Sequence, residues 1–406
     1  MNQTTGSNPI SVSNSSSEQK RIAEIEGKFV SLYGSTPEFI VRAPGRVNLI
    51  GEHTDYNDGF VFPAAIERDV VIAASRRPDR QVRAYALNFN QSTTFTLDGI
   101  VPTNEGRERW SNYLRAMGWA LQQEGIEPVG MNCVALGNVP LGSGLSSSAA
   151  MLVASGLMFL AGAEQTLDLV RLALLAQKAE REFVGVNVGI MDQFISALGQ
   201  KAHALLIDTR SLTYEAVPLP ESGVSIVIAD TNKKRGLVDS EYNTRRAECE
   251  RAVELLKVYL PGITALRDVS VEDFERYSDK LPEITRRRAR HVVTEDVRTL
   301  LGVAALKAGD VVRFGAMMNG SHESLRYDYE VSCRELDALV EASRSIEGVY
   351  GARMTGAGFG GCTVSLVANE AVDRFRQQVP GLYKASTGLE TTIYVTTAAQ
   401  GAERLR

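Results

Sequence analysis

The sequence predicts an α+β protein of two domains. Strand-like and helix-like segments follow one another irregularly, without the repeated βαβ units of a doubly wound sheet. From Asp239 to about Arg344 the pattern is almost continuously helical and heavily charged, and strands return only from Val349 onwards. The length, 406 residues, is enough for ordinary hydrophobic cores, and 44% hydrophobic with 23% charged residues is the composition of a globular chain. The two domains are expected to meet near residues 210–220, with the division placed after residue 215; no Pro- or Gly-rich linker marks it and no internal repeat is present.

Residues 1–18 are mostly Ser, Asn, Gln and Thr, without the basic start and apolar core of a secretory signal, and are expected to form a disordered tail. Gln19 to Tyr33 carries spaced apolar positions and ends at Gly34, as an amphipathic helix does. Phe39 to Ala43 and Val47 to Ile50 read as two strands on either side of a Pro44-Gly45-Arg46 turn. A helix over Glu108 to Glu124 stops at Gly125, and Met131 to Leu136 is a strand. The apolar run Ala149 to Ala163 is too short to span a bilayer and reads as a buried helix. Leu167 to Phe183 and Met191 to Leu198 look helical, and Ala204 to Asp208 looks like a strand. After the boundary, Ser222 to Asp230 is strand-like, the helical stretch is broken at Pro261-Gly262 and Pro282, and Val349 to Met354, Thr363 to Val367 and Thr391 to Thr396 are strands.

The charge balance, 44 Lys and Arg against 49 Asp and Glu, gives a net charge of −5. No large cationic surface follows, so duplex nucleic acid and anionic membranes are excluded as main partners, whereas a small anion is not. Cys133, Cys249, Cys333 and Cys362 are widely spaced, with no Cys-x-x-Cys pair; reduced thiols in a cytoplasmic protein are expected.

Three polar constellations carry the chemistry. Pro140 to Ala150 follows a strand and precedes the buried helix; its glycines and serines suit a phosphate cradle at a helix N-terminus, although a serine-capped helix after a flexible turn fits equally. It lacks the Gly-Lys ending of a Walker A loop. Next, an apolar strand runs into Glu52, His53, Thr54 and Asp55, a cluster suited to a polyhydroxyl ligand; the bland alternative is a polar turn. In a straight strand Glu52 and His53 face opposite sides, so all four address one ligand only if the chain turns after Gly51. Finally, Gly185 to Gln193 is a loop entering a short helix with Asp192 in its first turn, where the helix dipole favours a carboxylate. Glu180 sits among Lys178, Arg181 and Glu182, by default a solvated face. Met354 to Cys362 is dense in glycine, so backbone there approaches a ligand or another loop. Arg286 to Arg290 is read as a solvated basic face.

Together these segments resemble the GHMP small-molecule kinases, and Pro44 to Asn57 is similar to the signature of their galactose-phosphorylating branch. Pro140 to Ala150 resembles the family's phosphate loop and Met354 to Gly361 its third, glycine-rich motif. The likeness runs from about residue 25 to residue 400. It implies a ribosomal-protein-S5-like N-terminal domain, a ferredoxin-like C-terminal domain and an active site in the cleft between them. It also implies ATP-dependent phosphorylation of galactose at the C1 hydroxyl, with ATP as co-substrate and Mg²⁺ as cofactor. By resemblance, Glu52, His53, Thr54, Asp55 and Tyr242 bind the sugar. Gly142, Ser143, Gly144, Leu145, Ser146, Ser147 and Ser148 wrap the ATP phosphates. Ser148 and Glu180 hold Mg²⁺, and Asp192 faces the anomeric hydroxyl with Arg46 beside it. A kinase for a sugar altered at C2 or C6, or a non-catalytic galactose and ATP sensor, are the alternatives that the residues leave open.

Overall fold

The computed structural model describes residues 9–220, 223–233 and 238–406. Its strands are β1 (Phe39–Asn48), β2 (Phe60–Val61), β3 (Pro63–Arg76), β4 (Gln81–Ala86), β5 (Gln91–Thr96), β6 (Met131–Gly137), β7 (His203–Asp208), β8 (Thr213–Pro218), β9 (Val224–Asp230), β10 (Val349–Thr355), β11 (Cys362–Ala368), β12 (Thr392–Thr396) and β13 (Glu403–Arg404). The helices are α1 (Pro9–Tyr33), α2 (Asn112–Gln123), α3 (Ser147–Gly162), α4 (Leu169–Lys178), α5 (Met191–Leu198), α6 (Val238–Leu256), α7 (Val271–Tyr277), α8 (Glu283–Lys307), α9 (Val311–Ser324), α10 (Arg334–Arg344) and α11 (Val372–Thr387).

A first, six-stranded sheet has the order β13-β1-β3-β6-β4-β5 and is antiparallel except where β4 pairs with β6. Alternation divides its residues between two cores. Val41, Ile72, Ala74 and Cys133 join the core built with α2, α3, α4 and α5, while their neighbours Ile40, Val71, Ala73 and Val134 pack under α1 with Ile25 and Phe29. The other large sheet, β10-β11-β9-β12, is fully antiparallel. Val227, Ala229 and Val367 face α10 and α11, and Ile226, Ile228, Val364 and Leu366 face the opposite way. That second face shares one apolar cluster with Val47, Leu49, Val139 and Leu145, so the two halves are joined by continuous packing under the phosphate-loop region. A small sheet, β2-β7-β8, completes the fold.

Several expectations are corrected. Helix α1 begins at Pro9, upstream of the expected Gln19, so the polar stretch is helical from there; proline at a first helical position needs no N–H. Residues 1–8 of the expected tail lie outside the described residues. The two strands around Pro44-Gly45 are a single strand, because β3 bulges opposite them: Pro44 pairs with Asp69 but Arg46 with Ala65. The chain leaves β8 of the small sheet for β9 of the C-terminal sheet, yet its end returns to the first sheet, where β13 pairs with β1. The last residues therefore do not stay with the second half, as a single division after residue 215 requires. The expected helix over Leu167 to Phe183 is α-helical only to Lys178 and continues as a π-helical turn, Ala179–Val184. Buried helix α3 and the helical stretch with its breaks before α7 and α8 are as expected.

Gly45 marks where β1 touches the phosphate loop. A Cβ at this position would lie 2.5 Å from the Leu145 carbonyl oxygen, and the Arg46 N–H donates to that same oxygen at 3.1 Å. Gly45→Ala is therefore expected to destabilise the protein by about 1–3 kcal/mol, the scale of an overpacked core. Chemical denaturation checks this, and an unchanged midpoint would mean that the loop gives way freely.

Candidate active site

The strand β1 delivers Arg46 into the interior, where the residue is 4% exposed and meets Asp192 of α5. Arg46 Nε donates to Asp192 Oδ1 and Nη2 to Oδ2, each at 2.8 Å, a bidentate pair. Arg46 Nη1 donates to the Gly144 carbonyl at 2.5 Å, and the Ser146 hydroxyl donates to Asp192 Oδ2. One arginine thus ties together a strand, the phosphate loop and the start of a helix.

A cavity of about 140 Å³ lies over this pair, and Arg46, Glu52, His53, Asp55, Asp192 and Tyr242 all line it. The required turn after Gly51 is present. Gly51 has φ +86° and His53 φ +64°, a left-handed conformation that is rare for a residue with a side chain, and it brings Glu52 and His53 to the same cavity. Glu52 is buried and accepts from Arg353 Nη2 at 3.0 Å; burial raises its pKa, against the pull of Arg353 and Arg46. Burial pushes the His53 imidazole well below its ordinary value, leaving it neutral. Asp55 rises to about 7 because it is buried near the Asp192 charge, and it fits only because residue 189 is glycine: a Cβ there would sit 1.8 Å from Asp55 Oδ2. Tyr242, near the start of α6, packs its ring 5.6 Å from that of His53. Thr54 is the exception among the expected sugar contacts. Its hydroxyl donates to the Gly51 and Phe60 carbonyls at 2.9 and 2.7 Å, and it holds the turn instead of lining the cavity.

In the phosphate loop Gly142, Gly144 and Ser146 all have positive φ, and α3 starts at Ser147, presenting its free N–H groups. Leu145 is fully buried and anchors the loop in the shared core, and the Ser143 hydroxyl donates to the Pro140 carbonyl at 2.8 Å. Ser147 and Ser148 line a second cavity of about 310 Å³, whose walls include Phe89, Trp110, Tyr113 and Met151. Behind the loop, Glu180 is not on a solvated face. It is 4% exposed within the π-helical turn, where such turns often mark function, and it accepts from Gln193 Nε2 at 2.6 Å. Burial raises it to about 7, against a hydrogen bond from Ser148. The glycine-rich Met354 to Cys362 segment approaches both a loop and the cavity: a Cβ on Gly356 would lie 3.0 Å from the Gly144 carbonyl oxygen, and Gly356 and Ala357 line the first cavity.

Comparison with known proteins agrees with this geometry. The galactokinase galactose-binding signature matches residues 27–76, the GHMP kinase N-terminal domain residues 112–200 and the GHMP kinase C-terminal domain residues 303–385. A galactokinase of Roseiflexus sp. (strain RS-1) is 50% identical over 382 residues, 94% of this chain and 97% of its own. This chain belongs to the galactokinase family. A galactokinase of Chloroflexus aggregans is 48% identical over 94% of the chain and 97% of its own. The structure of Lactococcus lactis galactokinase complexed with galactose superposes with a TM-score of 0.91 at 39% identity, covering 95% of this chain and all of that one. Methanococcus jannaschii mevalonate kinase, at 20% identity and TM-score 0.64, shares the fold of this galactokinase-family chain.

Sequence reasoning missed the residues that hold the site from behind. Arg353 gave no signal beyond its place in an apolar strand, and Glu295 was one acid among many on a charged helix. The Glu295 carboxylate accepts the Gly51 N–H at 3.0 Å and the Ser321 hydroxyl at 2.5 Å, and the ion pair with Arg298 helps to hold its pKa down at about 2. No local pattern singles out either residue, since Arg353 and Glu295 meet Glu52 and Gly51 across more than two hundred residues of sequence. The basic run beside them is only partly solvated: Arg288 is 3% exposed and bonded to Glu248 at 2.8 Å.

The buried carboxyls set a pH dependence. Asp55, Glu180 and Asp296 stand near 7 in the fold, against ordinary values of 3.8, 4.5 and 3.8. A raised folded value stabilises below the unfolded one and is lost as pH rises through the folded one. The ligand-free protein should therefore lose stability between about pH 4 and 7 through these groups. Glu180→Gln removes one proton from that slope, up to roughly 3 kcal/mol across the window. Denaturant midpoints at several pH values check it, and an unaltered slope in the variant overturns it.

Proposed function

We propose that the chain transfers the γ-phosphoryl group of ATP to the C1 hydroxyl of galactose, giving galactose 1-phosphate and ADP. The observation that carries this reading is the bidentate Arg46–Asp192 pair at the floor of a cavity lined by Glu52, His53, Asp55 and Tyr242, tied through Gly144 to the phosphate loop. The polar side chains suit sugar hydroxyls. The loop's glycines and the N-terminus of α3 suit phosphates, and the aromatic second cavity beside Ser147 and Ser148 suits the apolar faces of a nucleoside.

Phosphoryl transfer through a loose transition state needs mainly positioning and charge stabilisation. Asp192 is poised for the first. Oδ1 takes one bond from Arg46 and Oδ2 takes one each from Arg46 and Ser146, so the carboxylate is held in one orientation. It aligns the C1 hydroxyl and accepts its proton late, when the oxygen has begun to bond to phosphorus. Arg46 stabilises charge on the transferring group.

The residues present fit Mg²⁺. The Ser148 hydroxyl and the Glu180 carboxylate are hard oxygen donors, and Glu180 is a buried acid whose pKa is raised by burial and by the Asp192 charge, with only Ser148 and Gln193 opposing. Both residues would hold the ion, which when bound neutralises charge on the phosphates. The cysteines are all free, and among the described residues no helix is long and apolar enough to cross a membrane, which supports a cytoplasmic setting.

ADP release measured with a panel of sugars tests the reaction. Galactose is expected to give the highest kcat/KM; preference for N-acetylgalactosamine or a uronic acid, or no sugar-dependent ADP at all, overturns the reading. Asp192→Asn is expected to bind galactose near the parent affinity by calorimetry while lowering kcat by on the order of 10² to 10⁴, the range of acid–base assistance. Substantial residual turnover would remove Asp192 from the chemistry.

A further inference from the structure

We propose that the outward face of α8 is the contact surface of a two-fold dimer, covered by the same helix of a second copy of this chain running antiparallel to it. Such a dimer goes beyond the galactose reading and does not depend on it.

Helix α8 has two contrasting sides. The inner one carries His291, Glu295, Thr299, Val303 and Leu306, all buried. The outer one should be polar, as on any surface helix. From Val297 onwards it is not. Val297, Leu300 and Leu301 are 41%, 40% and 45% exposed, and Ala304 and Ala308 are exposed too. At 3.6 residues per turn these residues fall within an arc of about 100°, the width of a core-facing stripe. Between Val297 and Leu306 only Arg298 is charged, and it pairs with Glu295. Val312, 67% exposed, and the exposed Ala316 follow on α9 just past the corner. A helix that is apolar all round is a buried helix, yet among the described residues nothing covers this second side. The stretches outside the described residues, 1–8, 221–222 and 234–237, are short and mostly polar, so they gain little by covering it.

Charge decides the occupant and its direction. In an antiparallel pair centred between Leu300 and Leu301, these two leucines meet their own copies and Val297 meets Ala304 of the partner subunit. The stripe is then its own complement, as a two-fold contact requires. Arg290 and Asp310 lie about ten residues on either side of that centre, roughly 15 Å along the axis. Each Arg290 therefore comes level with Asp310 of the partner subunit and with the C-terminal carbonyls of its α8, where the helix dipole favours a cation. Arg290 is 45% exposed and holds Asp328 at 3.3 Å, and Asp310 is exposed at the α8–α9 corner, accepting the Arg313 N–H through Oδ1. A parallel pair would set Arg290 against Arg290 and Lys307 against Lys307. An apolar centre with charged ends is the anatomy of a specific protein contact. The mixed signs around the stripe, Arg290 and Lys307 with Glu215 and Asp310, suit an anionic lipid surface poorly. Because the inner side of α8 bonds the sugar turn through Glu295 and His291, the contact lies away from the cavity and each copy keeps a complete site.

Sedimentation velocity of the full chain over a range of concentrations is expected to show a species of twice the chain mass that dissociates on dilution. Leu301→Glu should weaken the association by roughly a hundredfold or more, since the two-fold places the charge twice, while near-ultraviolet circular dichroism and turnover stay at parent values. Val297→Arg serves the same purpose should Leu301→Glu fail to fold. Under oxidation Leu301→Cys should cross-link to itself across the axis, and Arg290→Cys should not. A parent that stays monomeric at every concentration, whether or not it floats with anionic vesicles, overturns the proposal. So does an undiminished dimer in the folded variant, or Arg290→Cys linking to itself.

Discussion

A guanidinium with no solvent exposure, that of Arg353, holds the two halves of the site together. From β10 it donates to the Asn48 carbonyl at 2.8 Å and to Glu52 at 3.0 Å, and next to it the Thr355 hydroxyl accepts the Asn48 N–H. Two charges taken out of water are tolerated only with good geometry and further hydrogen bonds. The pair has both, since the turn that carries Glu52 is also gripped by Glu295 and His291 of α8. Because β10 runs directly into Gly356, which lies on Gly144, the same anchor sets the distance between the sugar cavity and the phosphate loop. Phosphoryl transfer depends on that distance far more than on any single contact.

The acidic balance of the chain acquires a meaning here. Four carboxyls, Glu52, Asp55, Glu180 and Asp192, lie around the sugar cavity and the phosphate loop beside it, with Arg46 and Arg353 as the buried guanidiniums bonded to two of them. Burial, with the Asp192 charge adding to it, holds two of the acids, Asp55 and Glu180, near 7 in the absence of ligand. Such a site attracts anions through local donors, namely the N-terminus of α3, the Gly-rich loop and Arg46, and through a divalent cation that the acids themselves favour. Net charge excluded extended polyanions and carried no information about a nucleotide.

What was legible in the sequence follows from what is local. Helix α3, its serine-rich entry and the short helix bearing Asp192 are dictated by periodicity and turn chemistry within a dozen residues. The role of Pro44-Gly45 was not, because a Pro-Gly pair is a turn signal and only the bulge of β3 opposite it, a partner in sequence twenty residues away, keeps the strand continuous. Glu180 looked like part of a solvated face because Lys178, Arg181 and Glu182 around it are charged, although it stands one turn after the buried Ala176 and shares its inward side. Thr54 shared the composition of its neighbours but not their direction, which the left-handed His53 decides. Arg353 and Glu295 act across more than two hundred residues of sequence, and no local pattern reports such pairs.

The arrangement around Asp192 explains why a rigidly held carboxylate suits this chemistry. Asp55 also lines the cavity, yet it is Asp192 that Arg46 and Ser146 tie to the phosphate loop. In a loose transition state the attacking oxygen gains acidity only as its bond to phosphorus forms, so an acceptor that is well placed from the start is sufficient. The arginine that pairs both carboxylate oxygens also donates to the Gly144 carbonyl, and so fixes Asp192 relative to the proposed phosphates. For this reaction position contributes more to the rate than any single contact.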